Sequence, residues 1–171
     1  AAESLLVIGS GMSGILHIQL AKHLGVKKIV AVDVDDSRLE LAKKFGADEV
    51  LKAGDSIEGK FSRVVVCAGA MSAVETALEK VDKGGNILFF AVPEPGKNID
   101  IPINDFWRNQ ITILTSYAAA PRDLEEAMGL LKEGAVNVKD MITHEFPLDK
   151  VQEGFNLTAK PNNSLKVLIR N

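Results

Sequence analysis

Residues 7–14 read VIGSGMSG, an apolar run that breaks on glycines at 9, 11 and 14 just before an amphipathic stretch. Few local geometries accept that pattern. A strand must turn sharply into a helix, and glycine supplies the backbone freedom. Nineteen residues past Gly14 a second apolar run, Ile29–Val32, closes on Asp33. Strand, glycine turn, helix, strand and acidic end make a βαβ unit, which commits the chain to a parallel sheet.

Each position in the unit has a physical reason. Gly9 permits the tight turn. Gly11 removes a side chain where backbone would approach a pyrophosphate, and Gly14 lets the helix pack close to the sheet. The N–H groups of Met12 and Ser13, at the positive end of the helix dipole, are free for phosphate. Asp33 is placed to accept bonds from both hydroxyls of an adenosine ribose, which favours NAD over NADP. Arg38 falls in the first turn of the next helix, beside the same ribose. The plain alternatives are a ligand-free turn, a solvated helix-start aspartate (as Asp35 and Asp36 suggest) and a surface arginine.

The rest of the chain repeats the rhythm of short apolar runs and amphipathic stretches. Helices are expected over about 13–24 and 37–45, with a short strand at Glu49–Leu51. The 52–60 segment is too short for a crossover helix. Arg63–Cys67 is the fourth strand, and Val74, Ala77, Leu78 and Val81 mark a helix stopped by Gly84-Gly85. Asn86–Ala91 and Ile111–Leu114 follow as strands. Leu124, Ala127, Met128 and Leu131 mark a further helix. In the tail, His144–Phe146 is extended, Asp149 and Gln152 suit a capping box, and Leu165–Ile169 is a last strand. The expected fold is α/β: a Rossmann-type, doubly wound, six-stranded parallel sheet over residues 1–140, with a short C-terminal extension over 141–171. Ile111–Leu114 would end an open sheet as an apolar edge, so a homodimer through the 111–117 edge is expected.

Composition narrows the function. A net charge of −3 argues against nucleic acid or an anionic membrane surface as partner. No apolar stretch is long enough to span a bilayer, and no export signal is visible. The single cysteine, Cys67, excludes an internal disulfide or a cysteine-based zinc site, which points to a reducing, cytoplasmic setting. His17 reads as an interior histidine, His23 as a cation at a helix end, and His144 stands apart in the tail, so the three lack metal-ligand spacing. Ser10 lacks the nucleophile-elbow spacing. Trp107 reads as a packing anchor.

With these residues in place, the chain resembles the coenzyme-binding domain of the zinc-dependent medium-chain alcohol dehydrogenases, nearest the polyol and threonine dehydrogenase branch. The resemblance is carried by VIGSGMSGILHIQLAKHLGVKKIVAVDVDDSRLELAKKFGADEVL, VVVCAGA, GGNILFFAVPEPG and ITHEFPLDKVQEGF…LKVLIRN, in the family's order. It implies that Cys67 and Ala68 line the cofactor cleft, that Ala91 and Val92 contact the nicotinamide, and that Thr115 and Ser116 lie near its ribose. It places Lys166 where a basic residue reaches the pyrophosphate. It also implies hydride transfer between NAD and a small alcohol or polyol, with zinc held by an upstream domain that this chain lacks. The chain is thus expected to be a domain of a larger enzyme, inactive alone, whose tail packs on the absent part. Three rivals share some features: a regulatory nucleotide-binding module, a methyltransferase, and the NADPH-dependent quinone or enoyl reductase branch, which Asp33 disfavours.

Overall fold

The computed structural model describes residues 2–159 and 164–171. The elements run β1 (Ser4–Ile8), α1 (Met12–His23), β2 (Lys28–Asp33), α2 (Asp36–Lys44), β3 (Glu49–Lys52), β4 (Phe61–Val66), α3 (Met71–Lys80) and β5 (Val81–Phe89). Then come α4 (Ile103–Arg108), β6 (Thr112–Thr115), α5 (Pro121–Lys132), β7 (Ile142–Pro147), α6 (Val151–Ala159) and β8 (Lys166–Arg170).

β1 to β6 form one parallel sheet in the order β3-β2-β1-β4-β5-β6, with Leu5 opposite Ile29 and Arg63 in register. The strands read as unbroken apolar runs because helices cover both faces. Leu6, Ile8, Val30, Val32, Val64, Val66 and Ile87 point to one face, under Ala73, Val74 and Ala77 of α3. Leu5, Val7, Ile29, Ala31 and Val65 point to the other, against Ile15, Ile18 and Ala21 of α1 and Ala42 of α2. Burying a side chain such as Leu6 or Ile18 contributes about 1.5–3 kcal/mol, so the sheet's period of two builds both cores.

The expected fold class holds, with local corrections. The ends of α1 and α2 fall within one residue of expectation. α3 stops at Lys80 rather than at Gly84-Gly85, because Val81 already pairs with Phe61 in β5. β6 starts one residue late, because Gln110 is left-handed (φ 54°) and the Ile111 N–H is spent on the Phe106 carbonyl. α4 was not foreseen. Its buried anchor is Phe106, whereas Trp107, the expected anchor, is 74% exposed.

α5 keeps its helical period but buries no residue; Leu124 and Met128 face outward. Its start is fixed by Asp123, whose carboxylate accepts the Ala120 N–H at 2.7 Å. β7 and β8 pair in parallel as a second, two-stranded sheet with α6 packed on it. α6 is entered through a 3₁₀ turn at Leu148–Lys150, and Gln152, expected in a capping box, donates instead to Asn156. Buried Gln19 of α1 ties this region to the main sheet. Its Oε1 accepts the Asn137 N–H at 2.7 Å, and Met141 enters the core beneath. Among the described residues no helix is long and apolar enough to cross a membrane.

Candidate functional site

The strand order reverses direction of growth between β1 and β4, and a cleft opens there at the carboxyl ends of the strands. It is lined by Ile8, Gly9, Gly11, Val32, Asp33, Val34, Arg38, Ala53, Cys67 and Ala68. Sequence reasoning named six of these, and the structure brings all six to one place.

The glycine turn is forced by contact. A Cβ on Gly14 would lie 1.9 Å from the Gly9 carbonyl oxygen, so α1 can approach β1 only with glycine there. Gly9 sits at φ +98°, and a Cβ on it would strike the Cys67 carbonyl carbon at 2.9 Å. Its N–H donates to the Val32 carbonyl at 2.8 Å, which holds the turn to β2. Gly11 caps α1 without a side chain, and the first helical bond runs from the Ile15 N–H to the Gly11 carbonyl. The N–H groups of Met12 and Ser13 have no partner among the described residues. They form an open anion cradle at the positive end of the helix.

Asp33 closes the opposite wall. It is buried, not solvated, and its carboxylate accepts the Ser10 N–H at 2.6 Å and the Asp35 N–H at 3.0 Å. Each oxygen keeps lone pairs free for a hydroxyl donor. Asp35 serves as N-cap of α2, accepting from Ser37, which holds its carboxyl below the usual range. Asp36 is exposed and pairs with Lys52 at 2.6 Å. Arg38 is half-buried, and its Nη1 would come 3.3 Å from a Cβ on Gly11, so the guanidinium lies across the mouth between glycine turn and acid. Ala53, missed from sequence, completes this end; its N–H donates to the Asp33 carbonyl at 2.9 Å. The signal for it was its place just after β3, at the carboxyl edge of the sheet.

The other end is apolar. Cys67 follows β4, and its N–H donates to the Ile8 carbonyl at 2.7 Å. Burial pushes its thiol up to about 12, so it is neither a thiolate nucleophile nor a ready metal ligand at neutral pH. His17 stands behind it: Nδ1 lies 2.8 Å from the Ser13 carbonyl and 3.7 Å from Cys67 Sγ, and the ring meets Phe90 edge-on at 4.9 Å. A carbonyl only accepts, so Nδ1 carries the proton, and burial holds the imidazole pKa below its ordinary value.

Ala91 and Val92 leave β5 just beyond, with the Ala91 N–H on the Val66 carbonyl. Thr115 ends β6 opposite Phe89, and Ser116 follows it. These four extend the carboxyl edge without lining the cleft itself. Lys166 is exposed at the start of β8, opposite Ile142 in the second sheet, and is not brought to the cleft wall. Among the described residues no three His, Cys, Asp or Glu side chains cluster to hold a metal.

A family model described as "Zinc-binding dehydrogenase" matches residues 14–133. Sorbitol dehydrogenase of Rattus norvegicus is 31% identical over 181 residues, covering 98% of this chain and 49% of that protein. The crystal structure of a zinc-binding dehydrogenase from Sinorhizobium meliloti, bound to NADP, superposes with a TM-score of 0.90 at 21% identity, over all of this chain and 53% of that one. An alcohol dehydrogenase from E. coli CFT073 complexed with NADH gives 0.87 at 21% identity, over 96% of this chain and 51% of that one. The chain thus spans about half the length of the relatives it matches.

Proposed function

This chain belongs to the zinc-binding dehydrogenase family, and we propose that its part there is to hold NAD for hydride transfer with a small alcohol or polyol. The observation that carries the reading is the cleft at the β1–β4 switch. It has the glycine turn, with the open amides of Met12 and Ser13 following Gly11, on one side and the buried Asp33 carboxylate on the other. The bound cofactor supplies the hydride chemistry, and the chain supplies affinity and orientation.

In this reading the N–H groups of Met12 and Ser13 take the pyrophosphate over Gly9, Gly11 and Gly14. Asp33 accepts from the adenosine ribose, and Arg38 covers it. Cys67 and Ala68 with Ala91 and Val92 border the nicotinamide, and Thr115 and Ser116 its ribose; Lys166, away from the cleft wall, takes no part in this reading. The two liganded relatives hold different dinucleotides, so the choice of NAD rests on Asp33. A 2′-phosphate would remove a donor and set a second negative charge against the carboxylate.

Zinc and the substrate contacts lie outside this chain in our reading, so residues 1–171 alone turn over no alcohol. The 141–171 segment, whose small sheet and α6 stand apart from the main sheet, packs on that other part. The protein works in the cytoplasm, with no nucleic acid or membrane as partner. The apolar edge of β6 pairs with a second copy: Leu114 on the strand, and Ile103 and Trp107 of α4, are exposed. The test is calorimetric titration of both cofactors. We expect NAD to bind about tenfold tighter than NADP, a difference of about 1.4 kcal/mol. Equal affinities, or tighter NADP, would mean that Asp33 does not face the ribose.

A further inference from the structure

We infer that Gly69 is a positioning residue for the nicotinamide end of the cleft. Its missing side chain lets the Val92 carbonyl seat against the end of β4. The inference rests on the cofactor reading above and extends it to a residue that reading does not use. Gly69 is not in the left-handed region, so its backbone does not require glycine. Space does. A Cβ there would stand 3.0 Å from the Val92 carbonyl oxygen and 3.8 Å from its carbon. A relaxed carbon–oxygen contact is about 3.3 Å or longer, so a methyl group must move something by a few tenths of an ångström.

The Val92 side cannot simply retreat. The N–H groups of Phe90 and Ala91 both donate to the Val66 carbonyl, at 3.1 and 2.9 Å, which pins the chain one residue before Val92. Pro93 follows, and it confines Val92 to extended backbone. Proline also has no N–H, so the Val92–Pro93 peptide gains no new bond by turning over. The displacement therefore passes into the position of Ala91 and Val92. The β4 side is equally held, since the Cys67 N–H is bound to the Ile8 carbonyl. A side chain at Gly69 wedges the ends of β4 and β5 apart where the nicotinamide would lie. The Asp33 wall, on the far side of β1, stays as it was, because the Cys67 N–H bond to the Ile8 carbonyl holds the end of β4 against the glycine turn.

Gly129 provides the control. It lies in α5, and a Cβ on it meets nothing within 4 Å. The wild-type chain, Gly69→Ala and Gly129→Ala are titrated with ADP-ribose and with NADH, and ADP-ribose binding doubles as the check on folding. The wild type is expected to bind NADH more tightly than ADP-ribose. Gly69→Ala should keep its ADP-ribose affinity within about twofold and lose about threefold or more for NADH, as contacts open by a fraction of an ångström. Gly129→Ala should match the wild type for both. Equal losses for the two ligands in Gly69→Ala, up to a chain that does not fold, would assign Gly69 a general structural role and overturn the inference. So would no loss for NADH, or a wild type that gains nothing from the nicotinamide. A wild type that binds no ADP-ribose overturns the cofactor reading itself.

Discussion

Replacing Asp33 with serine removes more than a charge facing the cleft. The carboxylate accepts the Ser10 N–H at 2.6 Å, which ties the middle of the glycine turn to the end of β2. It also accepts the Asp35 N–H at 3.0 Å, which starts the turn into α2. A serine hydroxyl is too short to reach both donors. Hydrogen bonds to a charged group are worth about 1.5–3 kcal/mol each, and water entering the open cleft recovers part of one. The expected loss is therefore about 2–4 kcal/mol. For a chain of this length that lowers the midpoint by about 4–16 °C, measured by circular dichroism. The preference for NAD over NADP should shrink. Affinity for ADP should also fall, by about threefold or more, because the Ser10 amide no longer holds the phosphate cradle in place. An Asp33→Ser chain that melts within about 1 °C of wild type and binds ADP unchanged would refute the dual role.

Cys67, with its thiol pushed up to about 12, should react slowly with iodoacetamide at neutral pH and faster as pH rises, while the urea-unfolded chain reacts at once; mass spectrometry reads the modified fraction. His17 should give an acid-side stability slope. Above about pH 6.5 both folded and unfolded imidazoles are neutral, and below it the unfolded chain takes a proton that the buried ring refuses. Stability then drops as pH falls, and His17→Asn should flatten that slope in denaturant titrations. Ile113→Glu should convert a dimer to a monomer in sedimentation, and should red-shift the emission of Trp107, which shares a groove with Ile113.

The glycine turn was legible in sequence because its causes are local. Gly9 and Gly14 touch each other, and Asp33 ends the strand that the turn is bonded to. The apolar runs likewise announced a sheet covered on both faces. What stayed hidden depends on contacts far apart in the chain. Nothing near Gly69 in sequence tells of Val92, and nothing near Gly11 tells that Arg38 reaches over it. Phe106 and Trp107 are neighbours of similar character; only the direction of α4 decides that the first is buried and the second exposed. Gly84-Gly85 offer a local stop for α3, but the pairing of Val81 with Phe61, a contact distant in sequence, ends the helix earlier, at Lys80.

The central claim is that the cleft between β1 and β4 receives a dinucleotide, and a ¹⁵N-labelled chain titrated with ADP-ribose tests it residue by residue. We predict amide shifts concentrated at Gly9–Gly14, Asp33–Arg38 and Ala53, the largest at Met12 and Ser13, whose N–H groups have no partner among the described residues. The β7–β8 sheet and α5 should stay still. Shifts confined to those elements, or none at saturating ligand, would contradict the account.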